Sequence, residues 1–165
     1  MADSDRFQRA ERALKAGAYD EAKKLFREDE EAKGSRADSL AKLQSADAKL
    51  AAGDVNSAAT LYEAVLERNP SVAEAYQGLA RVALFTGQLD AAKVHAMAAV
   101  RLAPRHGLGW TLVGLVHESL NENELALDAM KKGAELATDS FLCQFNLGRF
   151  LASQGRAQEA VAALT

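Results

Sequence analysis

Five turn-forming residues, Gly17, Gly53, Gly87, Asn121 and Gly155, are separated by 36, 34, 34 and 34 residues, and no other feature restricts the fold as tightly. Ala22, Ala58, Ala92, Ala126 and Ala160 keep the same intervals, as do the small residues Ala10, Ala46, Ala80, Gly114 and Gly148. Three columns in one register mean that the chain repeats a single supersecondary unit. Within one unit, Tyr76, Leu79, Ala80 and Ala83 recur at helical spacing, Thr86-Gly87-Gln88 interrupts, and a second periodic segment runs over 89–102 until Pro104 closes it. The glycine column suits the residue just past a helix end, which takes the left-handed conformation that glycine enters without a Cβ clash; Asn121 is the next-best residue there. Pro70 and Pro104 mark the opposite turns, because proline lacks the N–H a continuing helix needs. The small columns let paired helices approach to about 8 Å.

Composition agrees with helix. Of 165 residues, 48% are hydrophobic, and two prolines and eleven glycines are too few for a turn-rich β sandwich. Twenty basic residues against 23 acidic give a net charge of -3, which excludes a strongly basic nucleic-acid binder. The lone Cys143 makes no internal disulfide and points to a reducing, cytoplasmic setting. No run approaches the roughly 20 apolar residues of a membrane span, and residues 1–7 lack the apolar core of a signal peptide.

A 34-residue helix–turn–helix unit with an aromatic residue, a Leu-Ala or Leu-Gly pair, a turn glycine, an alanine and a closing proline resembles the tetratricopeptide repeat. Tyr76, Leu79, Ala80, Gly87, Ala92, Ala99 and Pro104 carry the resemblance best. It divides a single array, 1–165, into approximate repeats 3–38 (degenerate), 39–72, 73–106, 107–140 and 141–165 (truncated). The two extra residues of the first unit fall in a connecting loop, "KGSRAD". The resemblance implies an all-α fold, a right-handed α-solenoid of about five antiparallel helix pairs, the last incomplete. It also implies a non-catalytic scaffold or adaptor that holds a partner peptide or helix in a concave groove lined by the first helices of each pair. A bacterial secretion or pilus-assembly chaperone, and the regulatory arm of a longer enzyme, are the alternatives.

On those first helices, residues one turn from the packing stripe are the groove candidates: Leu40, Leu43 and Asp47; Glu74, Gln77 and Arg81; Leu108, Thr111 and Leu115; Leu142, Phe145 and Arg149. They are apolar enough to suit an amphipathic protein segment, with Arg81 and Arg149 interrupting the strip. Several of the leucines serve equally well as inter-helix packing. The pattern of Lys, Arg and Asn with which some relatives grip a C-terminal carboxylate is missing from every window: Phe7, Glu11, Gln44, Glu74 and Gly78 offer no cationic fork, and neither do the windows that follow.

Other chemistry finds no support. His95, His106 and His117 are eleven residues apart and lack the four-residue spacing of metal-binding pairs on a helix, so neither metal nor cofactor is expected. Cys143 reads as a half-buried helix residue and Trp110, in the column of Tyr76, as core. The charge run at 28–31 reads as a solvated end of the array. At the other end, Phe150, Leu151, Val161 and Leu164 are expected to form an open apolar face able to support weak self-association.

Overall fold

A computed structural model describes residues 8–9, 12–13 and 18–164 of the chain. Ala10 and Gly17 lie outside the described residues, as does the side chain of Ala22. The elements are α1 (Tyr19–Ala51), α2 (Val55–Arg68), α3 (Ala73–Phe85), α4 (Leu89–Leu102), α5 (Gly107–Ser119), α6 (Asn123–Leu136), α7 (Phe141–Ser153) and α8 (Ala157–Leu164). No strand occurs among the described residues, so the fold is all-α.

The first departure from expectation is α1. The segment 33–38, expected as a loop, is helical, and α1 continues through Gly34 for 33 residues. Nothing there stops a helix: no proline stands where Pro70 and Pro104 stand later, and one interior glycine costs only about 1 kcal/mol relative to alanine. Side chains one turn apart reinforce the run, with Lys42 Nζ on Asp38 Oδ2 at 2.6 Å and looser pairs at Lys24–Glu28 and Arg27–Glu31.

Residues 1–42 and 43–165 form two compact units. In the first, the described residues are 8–9, 12–13, 18 and α1 up to Lys42, where Leu40 is more than half exposed.

The second unit is built of helix pairs whose turns follow one recipe. Gly53, Gly87, Asn121 and Gly155 all have positive φ, between 60° and 80°. In each case the residue after the turn residue donates its N–H to a carbonyl five residues back: Asp54 to Lys49, Gln88 to Ala83, Glu122 to His117 and Arg156 to Leu151, all between 2.8 and 2.9 Å. These bonds satisfy carbonyls the helix end leaves open. At the opposite turns Asn69, Ala103 and Ala137 break the helical geometry, and each keeps one N–H bonded to the carbonyl four residues back.

The alanine column is the buried centre of these pairs: Ala58, Ala92 and Ala126 are fully buried and Ala160 nearly so. In the small column Ala46 and Ala80 are also fully buried. A Cβ on Gly114 would lie 2.5 Å from Met130 Cγ and 3.0 Å from the Ala126 carbonyl, so α5 and α6 meet at a separation only glycine permits there. Three apolar clusters fill the unit, centred on Tyr62 and Val65, on Val100 and Val116, and on Met130 and Phe150.

The C-terminal end corrects a second expectation. Phe150 and Leu151 do not remain on an open face; they are buried in the last cluster with Met130, Leu147 and Ala160. The short α8 suffices because Ala160 and Ala163 bring it close to α7, and Leu164 lies over Gly148, where a Cβ would come within 2.7 Å of Leu164 Cγ. Val161 and Leu164 do stay more than half exposed, so only they remain of the expected face.

Candidate functional site

The first helices α3, α5 and α7, with the C-terminal part of α1, surround a cleft of about 480 Å³. Leu108, Leu112, Leu115 and Leu142 supply its apolar wall, and Asp47, Glu74, Arg81 and Asn146 its polar edge, with Gln77, His106 and Thr111 between them. The volume is that of an ordinary ligand site. The 34-residue period is what brings these side chains together: it repeats one face of the first helix on each successive pair.

The polar residues are fixed by local bonds. Tyr62, on α2 and fully buried, donates its hydroxyl to Asp47 Oδ1 at 2.7 Å, and Arg81 Nη1 reaches the same oxygen at 2.9 Å. Burial first, and the neighbouring Asp47 carboxylate second, push the Tyr62 phenol above its ordinary pKa, so it remains a protonated donor. Gln77 is 8% exposed and holds His106 Nδ1 at 2.8 Å through its Nε2, pinning the turn before α5 against α3. Thr111 donates to the Gly107 carbonyl at 3.2 Å, and Asn146 Nδ2 to the Leu142 carbonyl at 2.8 Å. Arg149 forms a two-pronged pair with Glu118, at 2.9 and 2.6 Å, and this hydrogen bonding raises the guanidinium pKa.

Eight of the twelve groove candidates line the cleft: Asp47, Glu74, Gln77, Arg81, Leu108, Thr111, Leu115 and Leu142. Leu43 does not; it packs on the Tyr62 cluster, because its position on α1 faces α2 and α3. Leu115 does both, lining the cleft while packing on two clusters. Phe145 turns toward Phe141, with ring centroids 5.6 Å apart, and Arg149 is engaged by Glu118. Leu40 belongs to the first unit.

His106, Leu112 and Asn146 line the cleft without having been singled out as groove residues. Leu112 and Asn146 stand one position after the column of Gln77 and Thr111, close enough that a register read to the nearest residue would have included them. His106 immediately precedes α5, and its place in the cleft depends on how that turn folds.

The remaining polar singletons have structural surroundings. Cys143 is fully buried, more so than its pattern suggested. Trp110 packs on the Val100 cluster, donates Nε1–H to the Pro104 carbonyl at 2.9 Å and carries Lys132 Nζ 3.6 Å above its ring. His117 bonds Glu122, and this bond lowers the Glu122 pKa. Among the described residues no group of three or more His, Cys, Asp or Glu side chains could hold a metal ion, and no helix is long and apolar enough to cross a membrane.

A stack of helix pairs with left-handed turn residues, small-residue contacts and a cleft along its first helices defines a helical-repeat protein. Residues 49–115 match the family model described as tetratricopeptide repeat. Over those residues the helix pairs are similar to tetratricopeptide repeats. Among solved structures, a tetratricopeptide-repeat protein of Thermus thermophilus, TTC0263, is 26% identical with a TM-score of 0.70, over 98% of this chain and 87% of that one. YrrB, a tetratricopeptide-repeat protein with an unusual peptide-binding site, is 25% identical with a TM-score of 0.59, over 78% of this chain and 66% of that one. The Sgt2 repeat domain of Aspergillus fumigatus, 21% identical with a TM-score of 0.64 over 73% of this chain and 82% of that one, shares the fold. No curated protein sequence matches the chain significantly.

Proposed function

We propose that the protein is a non-catalytic scaffold whose cleft, walled by α3, α5 and α7, holds a segment of a partner protein. The observation that carries this reading is the cleft itself: Leu108 and Leu142, with the inner edges of Leu112 and Leu115, face a concavity of about 480 Å³ bordered by pre-fixed polar side chains. Leu142 is 52% exposed and is close in sequence to Phe141 and Phe145, 77% and 43% exposed, so the apolar side chains here are grouped rather than scattered. Such an arrangement suits the apolar face of an amphipathic helix or an extended segment with alternate apolar side chains. The peptide-binding site named for YrrB, at 25% identity, supports the same class of ligand. A cytoplasmic location fits a free, buried cysteine.

Leu108→Glu and Leu142→Glu test the reading. Partners captured by the unaltered protein and identified by mass spectrometry should be lost from Leu142→Glu, while stability changes by only about 0.5 kcal/mol, as for most exposed positions. Retention of the same partners by both variants would remove the cleft from consideration.

A further inference from the structure

We infer that the cleft selects an apolar segment bearing a basic side chain and discriminates against acidic ones. The inference rests on the cleft being the partner site and concerns what it prefers. Both arginines that the sequence places along the strip are already engaged. Arg81 is bonded to Asp47, whose Oδ1 is held at the same time by the Tyr62 hydroxyl, and Arg149 is bonded through two nitrogens to Glu118. Each pair joins one first helix to the next, α1 to α3 and α5 to α7, so it braces the walls and brings no net charge to a ligand.

Glu74 is different. It lines the cleft in the first turn of α3, is exposed, and among the described residues makes no hydrogen bond or ion pair. His106, also in the lining, has its Nδ1 occupied by the Gln77 amide. An incoming carboxylate therefore meets one uncompensated negative charge at Glu74 and, at Arg81, a guanidinium already paired with Asp47, whereas a Lys or Arg placed beside the leucine wall finds a partner at Glu74.

Three fluorescent peptides that share one leucine pattern and differ only in carrying Lys, Gln or Glu at the flanking polar positions provide the probe. Anisotropy at low ionic strength should show the Lys peptide binding roughly fivefold tighter than the Gln peptide, the effect of one unit charge at about 4 Å in a water-like dielectric, with the Glu peptide weakest. Added salt should compress the series. Glu74→Gln should abolish the preference and Glu74→Lys invert it, while Glu124→Lys on α6, outside the cleft lining, should leave it unchanged. Equal affinities for the three peptides, with binding still lost in Leu142→Glu, would overturn the charge preference and leave the cleft as the binding site. A Lys preference that survives Glu74→Gln would overturn the role of Glu74. Binding of none of the peptides, or binding indifferent to Leu142→Glu, would overturn the cleft reading and this inference with it.

Discussion

At the residue scale, the turn column gives the sharpest test because one member is not glycine. Asn121 sits at φ 60°, in a region that a residue with a Cβ enters at a cost of about 1–2 kcal/mol, which a short polar side chain reduces. Asn121→Ala should therefore lower stability by about 1 kcal/mol, and Asn121→Gly should be neutral or stabilising, both read from urea unfolding. His95 supplies a pH dependence. Its Nδ1 is buried without a hydrogen-bond partner among the described residues, and burial pushes its pKa below the ordinary 6.5, against an opposing influence from Glu63. A histidine whose folded pKa is depressed contributes stability that is complete above pH 6.5 and is lost as pH falls through that value toward the folded one. The urea midpoint should consequently drop between about pH 7 and pH 5.5, and His95→Gln should flatten that drop. Glu122, whose pKa is lowered chiefly by its bond to His117, changes stability only as pH falls below the ordinary 4.5 and so does not obscure the window.

At the scale of elements, the same substitution at two glycines should have opposite signs. A Cβ on Gly78 would lie 2.3 Å from the ring of Tyr62, which is 1% exposed and tethered by its hydroxyl to Asp47, so it has nowhere to move. Gly78→Ala should cost about 1–3 kcal/mol, as overpacking in a filled core does, and should also weaken peptide binding by loosening the Asp47–Arg81 brace. Gly34, in the middle of α1, has nothing within 4 Å of a built Cβ. Gly34→Ala should raise helicity in far-ultraviolet circular dichroism and add up to about 1 kcal/mol to the stability of that helix. The two glycines look alike in sequence; one spaces a helix contact and the other interrupts nothing.

At the scale of the whole molecule, all three apolar clusters draw their residues from the unit 43–165, and so do the cleft residues. A fragment beginning at Leu43 should therefore fold, unfold cooperatively on heating and bind the Lys peptide with the affinity of the full chain. A molten fragment with weak, non-cooperative melting would show that residues before Leu43 stabilise the array. Helix pairs of this kind derive their stability from neighbouring pairs, so the loss of any one interface should reach the next.

The sequence by itself determined the period, the helix pairs and the turns, because these depend on interactions a few residues apart. A left-handed residue at Gly53, Gly87, Asn121 and Gly155, a proline after a helix end and an alanine at each helix contact act locally and are visible in the chain. The period also located most of the cleft, since every 34th residue must return to the same face. Only the tertiary structure decided which leucines line the cleft and which are packing. Leu43 and Leu142 are both groove candidates by their spacing from the packing stripe, three positions apart in the repeat, but Leu43 packs on the Tyr62 cluster while Leu142 stays half exposed. Likewise no local signal announces that Arg81 and Arg149 are neutralised across adjacent first helices, or that an eight-residue helix is enough to bury Phe150 and Leu151. Those outcomes depend on distances between side chains 31 or more positions apart in the ion pairs, and on how closely α8 approaches α7, which Gly148 and the alanines of α8 permit.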